Sequence, residues 1–85
     1  MAPFDVTFVE PIAHLRLRVG FADGLCGEVF FKESHLYGVF ATLKDPLVFE
    51  KVHCTQGYLE WPGDIDLAPD AMHEAIKADG VWLLE

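Results

Sequence analysis

The stretch HLRLRVGFADGLCGEVFF, residues 14–31, constrains the fold more than any other part of the chain. Leu15, Leu17, Val19 and Phe21 alternate with Arg16, Arg18 and Gly20. A period of two is that of a strand with one face buried. LCGEVFF is strand-like as well, and Ala22-Asp23-Gly24 joins the two. Register then decides the loop. A two-residue turn at Asp23-Gly24 would pair Val19 with Glu28 and put a carboxylate on the apolar face. A three-residue loop with Gly24 left-handed pairs Phe21 with Leu25, Arg18 with Glu28, Leu17 with Val29 and Leu15 with Phe31. The second register matches apolar to apolar and charge to countercharge, so we expect it, with Gly24 at positive φ.

The other elements follow around this hairpin. Asp5 to Glu10 alternates Val6 and Phe8 against Thr7 and Val9, a first strand that Pro11 should end because it has no N–H for a ladder. A turn or short helical piece is expected around Glu33 to Tyr37. Asp45 is a good N-cap and Pro46 a good first helical residue, for a short helix to about Val52 with Val48, Phe49 and Val52 inward. His53 to Trp61 reads as a second hairpin about Gln56-Gly57. Asp66-Leu67-Ala68-Pro69 is expected to start a second helix, with Met72, Ala75 and Ile76 inward and Gly80 as its left-handed stop. The apolar end, VWLLE, calls for a final strand or an intermolecular contact. The fold class is therefore α+β: a small antiparallel sheet, made of an N-terminal meander plus a second short hairpin, packed with two short helices.

Composition bounds the rest. With 85 residues, 52% of them hydrophobic, the chain reads as a single domain, residues 1–85, with enough large side chains to fill one core. No run approaches the roughly 20 apolar residues that span a bilayer. The start, MAPFDVTFVEP, has neither a basic leader nor an apolar signal core, so a cytoplasmic location and no membrane association are expected. Cys26 and Cys54 form no CxxC and are expected as free, mostly buried thiols. The net charge of -8 is uneven: residues 1–44 carry five acids against four bases, residues 45–85 nine acids against Lys51 and Lys77. Nucleic-acid binding needs clustered Lys and Arg, so direct contact with DNA or RNA is disfavoured. An acidic surface is a solubility device or steers toward a basic partner.

The stretch EWPGDIDLAPDAMHEAI, residues 60–76, concentrates the candidate chemistry. Asp64-Ile65-Asp66 is a DxD, and Asp70 and Glu74 lie four apart on one helix face, so Asp64, Asp66 and Asp70, with His73, are the candidates for a hard cation or a small-ligand activity. The EF-hand pattern is absent, however, and turn and helix-start roles account for most of these acids. His14, His35, His53 and His73 have no short-range zinc spacing; His53 beside Cys54 is the nearest thing to a nucleus. Ser34-His35 are adjacent and diverge on either a strand or a helix, so they signal no triad. Gly20, Gly24 and Gly27 lie in a hairpin and not in a phosphate loop. No catalytic residue and no cofactor is expected. Arg16 and Arg18 on the open hairpin face, near Phe30 and Tyr37, could form an anion or peptide contact. With Trp61 and Trp82 they are the candidate interaction residues, and Trp61-Pro62 is expected as a packing corner.

Three ordered stretches, LRLRVGFADGLCGEV, GVFATLKDPLVFEKV and GYLEWPGDIDLAPDAMHE, resemble the bacterial domain of unknown function 2442 over residues 4–76. Phe21, Asp23 and Gly24 match its F-x-D-G. Gly38, Val39, Phe40, Leu43, Asp45, Pro46 and Phe49 match its second motif, and Trp61, Pro62, Asp66, Leu67, Pro69 and Asp70 its third. Ala68 stands where the family often has a helix-capping Ser, a role that Asp66 could take. The resemblance implies a small α+β domain without catalytic residues, whose genes often lie beside those of another small family in a toxin–antitoxin-like arrangement. The expected function is a non-enzymatic protein-interaction module, antitoxin-like or regulatory. Its expected partner is a protein with a basic surface, and the apolar tail also leaves room for a homodimer.

Overall fold

The computed structural model describes residues 4–85. Residues 1–3, part of the start read above as lacking a leader, lie outside them. Among the described residues, seven strands make two sheets that share one core with two α-helices. The first sheet holds β1 (Val6–Ala13), β2 (Arg16–Phe21), β3 (Cys26–Phe31) and β7 (Val81–Leu84), in the order β1-β2-β3-β7. The second holds β4 (His53–Thr55), β5 (Tyr58–Trp61) and β6 (Ile65–Leu67), in that order. The helices are α1 (Pro46–Phe49) and α2 (Pro69–Asp79), with 3-10 turns at Glu33–His35 and Gly38–Lys44. The fold is α+β.

The β2–β3 hairpin has the expected register: Leu17 pairs with Val29 and Arg18 with Glu28. Its three-residue loop closes with the Phe21 amide donating to the Leu25 carbonyl at 2.8 Å, and Gly24 has φ +91°. The Phe31 amide donates to the Leu15 carbonyl at 2.9 Å, as the register requires, yet Leu15 is not a strand residue. It stands in the β1–β2 turn at φ +67°, and β2 begins at Arg16.

β1 departs from expectation in two ways. Pro11 does not end it: the strand runs to Ala13, because β1 is a sheet edge, where a missing N–H leaves no ladder bond unmade. The register also shifts between Val6 and Phe8. That irregularity breaks the alternation, so Val6 is buried and Phe8 faces solvent.

Asp45 caps α1 by accepting from the Leu47 amide at 3.0 Å, with Pro46 at the first helical position. The helix ends at Phe49, earlier than Val52. The hairpin about Gln56-Gly57 forms as read, both residues having positive φ. A third strand follows it, which the sequence reading missed. Ile65 and Leu67 turn inward and pair with Trp61 and Leu59. Asp66 is therefore a strand residue and not a helix cap. Ala68 holds the N-cap position of α2 with no side-chain hydrogen bond, and Gly80 ends the helix at φ +78°.

The end of the chain becomes β7, which pairs parallel to β3, Trp82 beside Val29 and Leu84 beside Phe31. The first sheet is thus antiparallel except for this last strand. Helix α2 is the crossover that brings β7 home, and it lies close to β3. A Cβ on Gly27 would run into Ile76 Cγ2 and stand 2.7 Å from the Gly80 carbonyl. Only glycine permits that approach.

Both sheets supply the core. Phe31, Phe49 and Trp61 meet at its centre, with ring centroids 5.8–6.2 Å apart, and Leu17, Val29, Leu43, Leu59, Met72 and Ile76 surround them. Truncating one such aromatic costs about 3–5 kcal/mol. Among the described residues no polar or charged residue is buried, so all the chemistry lies on the surface. Among them, too, no helix is long and apolar enough to cross a membrane.

Candidate functional site

The acidic segment is dispersed by its own local structure. Asp64 occupies the β5–β6 turn at φ +62°, a conformation Asp tolerates. Asp66 projects from β6, and Asp70 lies in the first turn of α2, where a carboxylate meets exposed N–H groups. Among the described residues no three His, Cys, Asp or Glu side chains converge as a metal site requires. A shallow trough of about 450 Å³ lies between the Gly38–Lys44 turn and the β5–β6 turn, and Lys51 is its one charged lining residue.

One row of side chains is brought together by strand pairing. The β4–β5 register sets His53 opposite Glu60, and the β5–β6 register sets Glu60 opposite Asp66. Since Leu59, Trp61, Ile65 and Leu67 face the core, this row lies on the outer face of the second sheet. His53 Nε2 stands 3.5 Å from Glu60 Oε1, and the Tyr58 hydroxyl donates to Glu60 Oε2 at 3.2 Å. The Tyr58 hydroxyl is pushed above its ordinary pKa of 10.0, first by the hydrogen bond to Glu60 and then by the charge of Glu60, with a smaller contribution from Asp66. It therefore stays a neutral donor at physiological pH. The two carboxylates face each other across the ladder without a cation between them in the register. Like charges directly opposite destabilise a sheet.

The other predicted residues divide by burial. Trp61 is 1% exposed, and its indole N–H donates to the Phe49 carbonyl at 3.0 Å. It is the packing corner expected of it and offers no surface to a partner. Trp82 is half-buried against the core. Arg16 and Arg18 remain on the open face of the first sheet. Arg16 Nε is 3.7 Å from Glu28, and its guanidinium lies 5.1 Å over the Phe30 ring. Arg18 pairs with Glu10 at 3.9 Å instead of with Glu28. The Tyr37 ring lies tilted beside His35, their centroids 6.0 Å apart. Both cysteines are free, but Cys26 is exposed, not buried. Its strand position faces away from the core.

A clasp unseen in the sequence joins the hairpin loop to α2. His73 Nε2 lies 2.8 Å from Asp23 Oδ2, while Asp23 Oδ1 accepts from the Leu25 amide at 3.0 Å. The Phe21 ring meets the His73 ring edge-on at 4.9 Å. These bonds hold the Asp23 carboxyl below its ordinary value, the one to His73 contributing most. The clasp explains His73, which the sequence had grouped with the acidic run. Fifty residues separate the partners, and no local spacing signals them. Glu60 was legible in principle: a hairpin about Gln56-Gly57 already pairs it with His53.

No curated protein and no solved structure matches the chain. The family model described as "Protein of unknown function (DUF2442)" matches residues 6–78, which span β1 through most of α2. The Asp23 loop, the capped α1 turn, the Trp61 corner and the start of α2 all fall within that match, and the chain belongs to the DUF2442 family.

Proposed function

We infer that this domain is a non-enzymatic protein-interaction module that takes a basic protein surface on the outer face of its second sheet, in the manner of an antitoxin-like or regulatory partner. The observation that carries the reading is the facing pair of carboxylates, Glu60 on β5 and Asp66 on β6. A Lys or Arg from a partner would relieve their repulsion and gain charge-assisted hydrogen bonds. Tyr58, half-buried beside them, supplies the aromatic contact that interfaces favour. The acidic bias of residues 45–85 extends the same field over Asp64, Asp70 and Glu74, which speeds the encounter with a basic surface.

The test is co-purification from native lysate at low and high salt, with the wild type and with a Glu60→Gln, Asp66→Asn variant. The expected result is a basic partner retained at low salt, released at high salt, and lost from the variant. A partner that ignores both salt and the variant would overturn the reading.

A further inference from the structure

The four-stranded sheet has a second face, opposite the core, that no element among the described residues covers. Strand register assigns its residues. Glu10, Arg18, Glu28 and Val81 form one row across β1, β2, β3 and β7; Arg16, Phe30 and Leu83 form the next. Phe8 lies beside them over Gly20, its Cβ 3.5 Å from where a side chain there would begin. Phe8, Val81 and Leu83 are 46%, 41% and 43% exposed, Phe8 at the β1 edge of the face and Val81 and Leu83 at its β7 edge. Exposed apolar side chains at both edges of an uncovered sheet face suit it to contact with another surface.

Charge selects the occupant. The face carries Arg16 and Arg18 against Glu10 and Glu28, so it is neutral, and the whole net charge of -8 belongs to the remaining surface. Two such acidic molecules repel wherever their other faces meet, over the roughly 8 Å of a Debye length at physiological salt. Here they do not. The ion pairs at 3.7 and 3.9 Å are too long to be tight two-pronged pairs, which leaves donors on both arginines and acceptors on both glutamates. A two-fold axis running along the strands between β2 and β3 sets Arg18 of each copy against Glu28 of the other, since an isologous interface uses one patch twice. A basic partner has the Glu60–Asp66 row to prefer.

We propose that the outer face of the β1-β2-β3-β7 sheet is a homodimer interface, in which two copies stack sheet on sheet through Phe8, Phe30, Val81 and Leu83 and exchange Arg–Glu contacts around them. Sheets packed in this way lie about 10 Å apart. Four strands of about six residues give a footprint of roughly 19 by 20 Å. That is about half of the roughly 800 Å² per partner of a standard interface, which places the dimer in the small, transient class.

Sedimentation velocity from micromolar to millimolar concentration tests this, as does exchange of charge between two variants. The wild type should rise from 9.5 kDa toward twice that mass. Arg16→Glu, Arg18→Glu makes the face acidic and Glu10→Arg, Glu28→Arg makes it basic. Each variant alone should stay at 9.5 kDa, and their equimolar mixture should dimerise more tightly than the wild type. Leu83→Gln, at an exposed position that does not threaten folding, should weaken the wild-type dimer several-fold, with circular dichroism unchanged. A wild type that stays monomeric at millimolar concentration overturns the proposal. So does a dimer that survives Leu83→Gln undiminished, or a mixture of folded charge variants that does not associate.

Discussion

Replacing Gly24 by valine isolates one backbone angle. Gly24 sits at φ +91°, and a Cβ built there meets no atom within 4 Å. Steric contact with the rest of the fold therefore contributes nothing, and the cost is that of the conformation alone. Holding a side chain-bearing residue left-handed costs about 1–2 kcal/mol, and a β-branched one lies at the upper end. Loss of glycine's freedom in the unfolded chain returns about 0.4–1 kcal/mol. The net is about 1–1.5 kcal/mol. At a urea m-value of about 1 kcal/mol/M, the midpoint falls by roughly 1–1.5 M at unchanged m. The melting temperature falls by roughly 5–10 °C for a domain of this size. Gly24→Asn should keep most of the stability, because Asn enters this region readily. A Gly24→Val protein as stable as the wild type, or an Asn variant damaged as badly, would refute the three-residue loop and with it the register of the first sheet.

Two further outcomes follow from the core and the clasp. Trp61→Phe leaves the Phe49 carbonyl with the Val52 amide as its remaining donor and opens a void beside Phe31 and Phe49, so it should cost about 1–3 kcal/mol in a urea melt. A loss below about 0.5 kcal/mol, the range of ordinary surface changes, would show that the indole bond is not made. The Asp23 carboxyl is held below 3.8 when folded, so its contribution is complete above that pH and lost as pH falls through the lowered folded value. The difference in melting temperature between wild type and Asp23→Asn should therefore shrink as pH is lowered from 4 toward 2, and a constant difference would contradict the clasp.

What could be read from the residues, and what could not, follows from the range of the interactions. The β2–β3 register was legible because the three-residue loop sets Leu17 against Val29, Phe21 against Leu25 and Arg18 against Glu28, whereas the two-residue turn sets Val19 against a carboxylate. Asp45-Pro46 announced α1 because a cap and a first-turn proline act within three residues. Strand β6 was hidden by Pro69: the run Asp66 to Pro69 looks like a helix entry, and three residues are too few for a period of two to declare itself. The outward turn of Phe8 depends on a local register shift in β1 that no alternation rule encodes. The parallel union of β7 with β3 and the bond from Asp23 to His73 join residues about fifty apart, beyond the reach of any local spacing. The acids were visible from the start. Their grouping was not, because it rests on Glu60 and Asp66 being cross-strand neighbours and not on Asp64, Asp66 and Asp70 being close in sequence.

We propose this cross-strand pair, Glu60 with Asp66, as the place where a basic partner docks. Equilibrium affinity for the co-purified partner, measured by calorimetry over a series of sodium chloride concentrations for wild type and for Glu60→Gln, Asp66→Asn, addresses it most directly. Affinity should fall steeply with salt in the wild type, and the variant should bind more weakly with a shallower dependence. Equal affinity and equal salt dependence in the two proteins would contradict it.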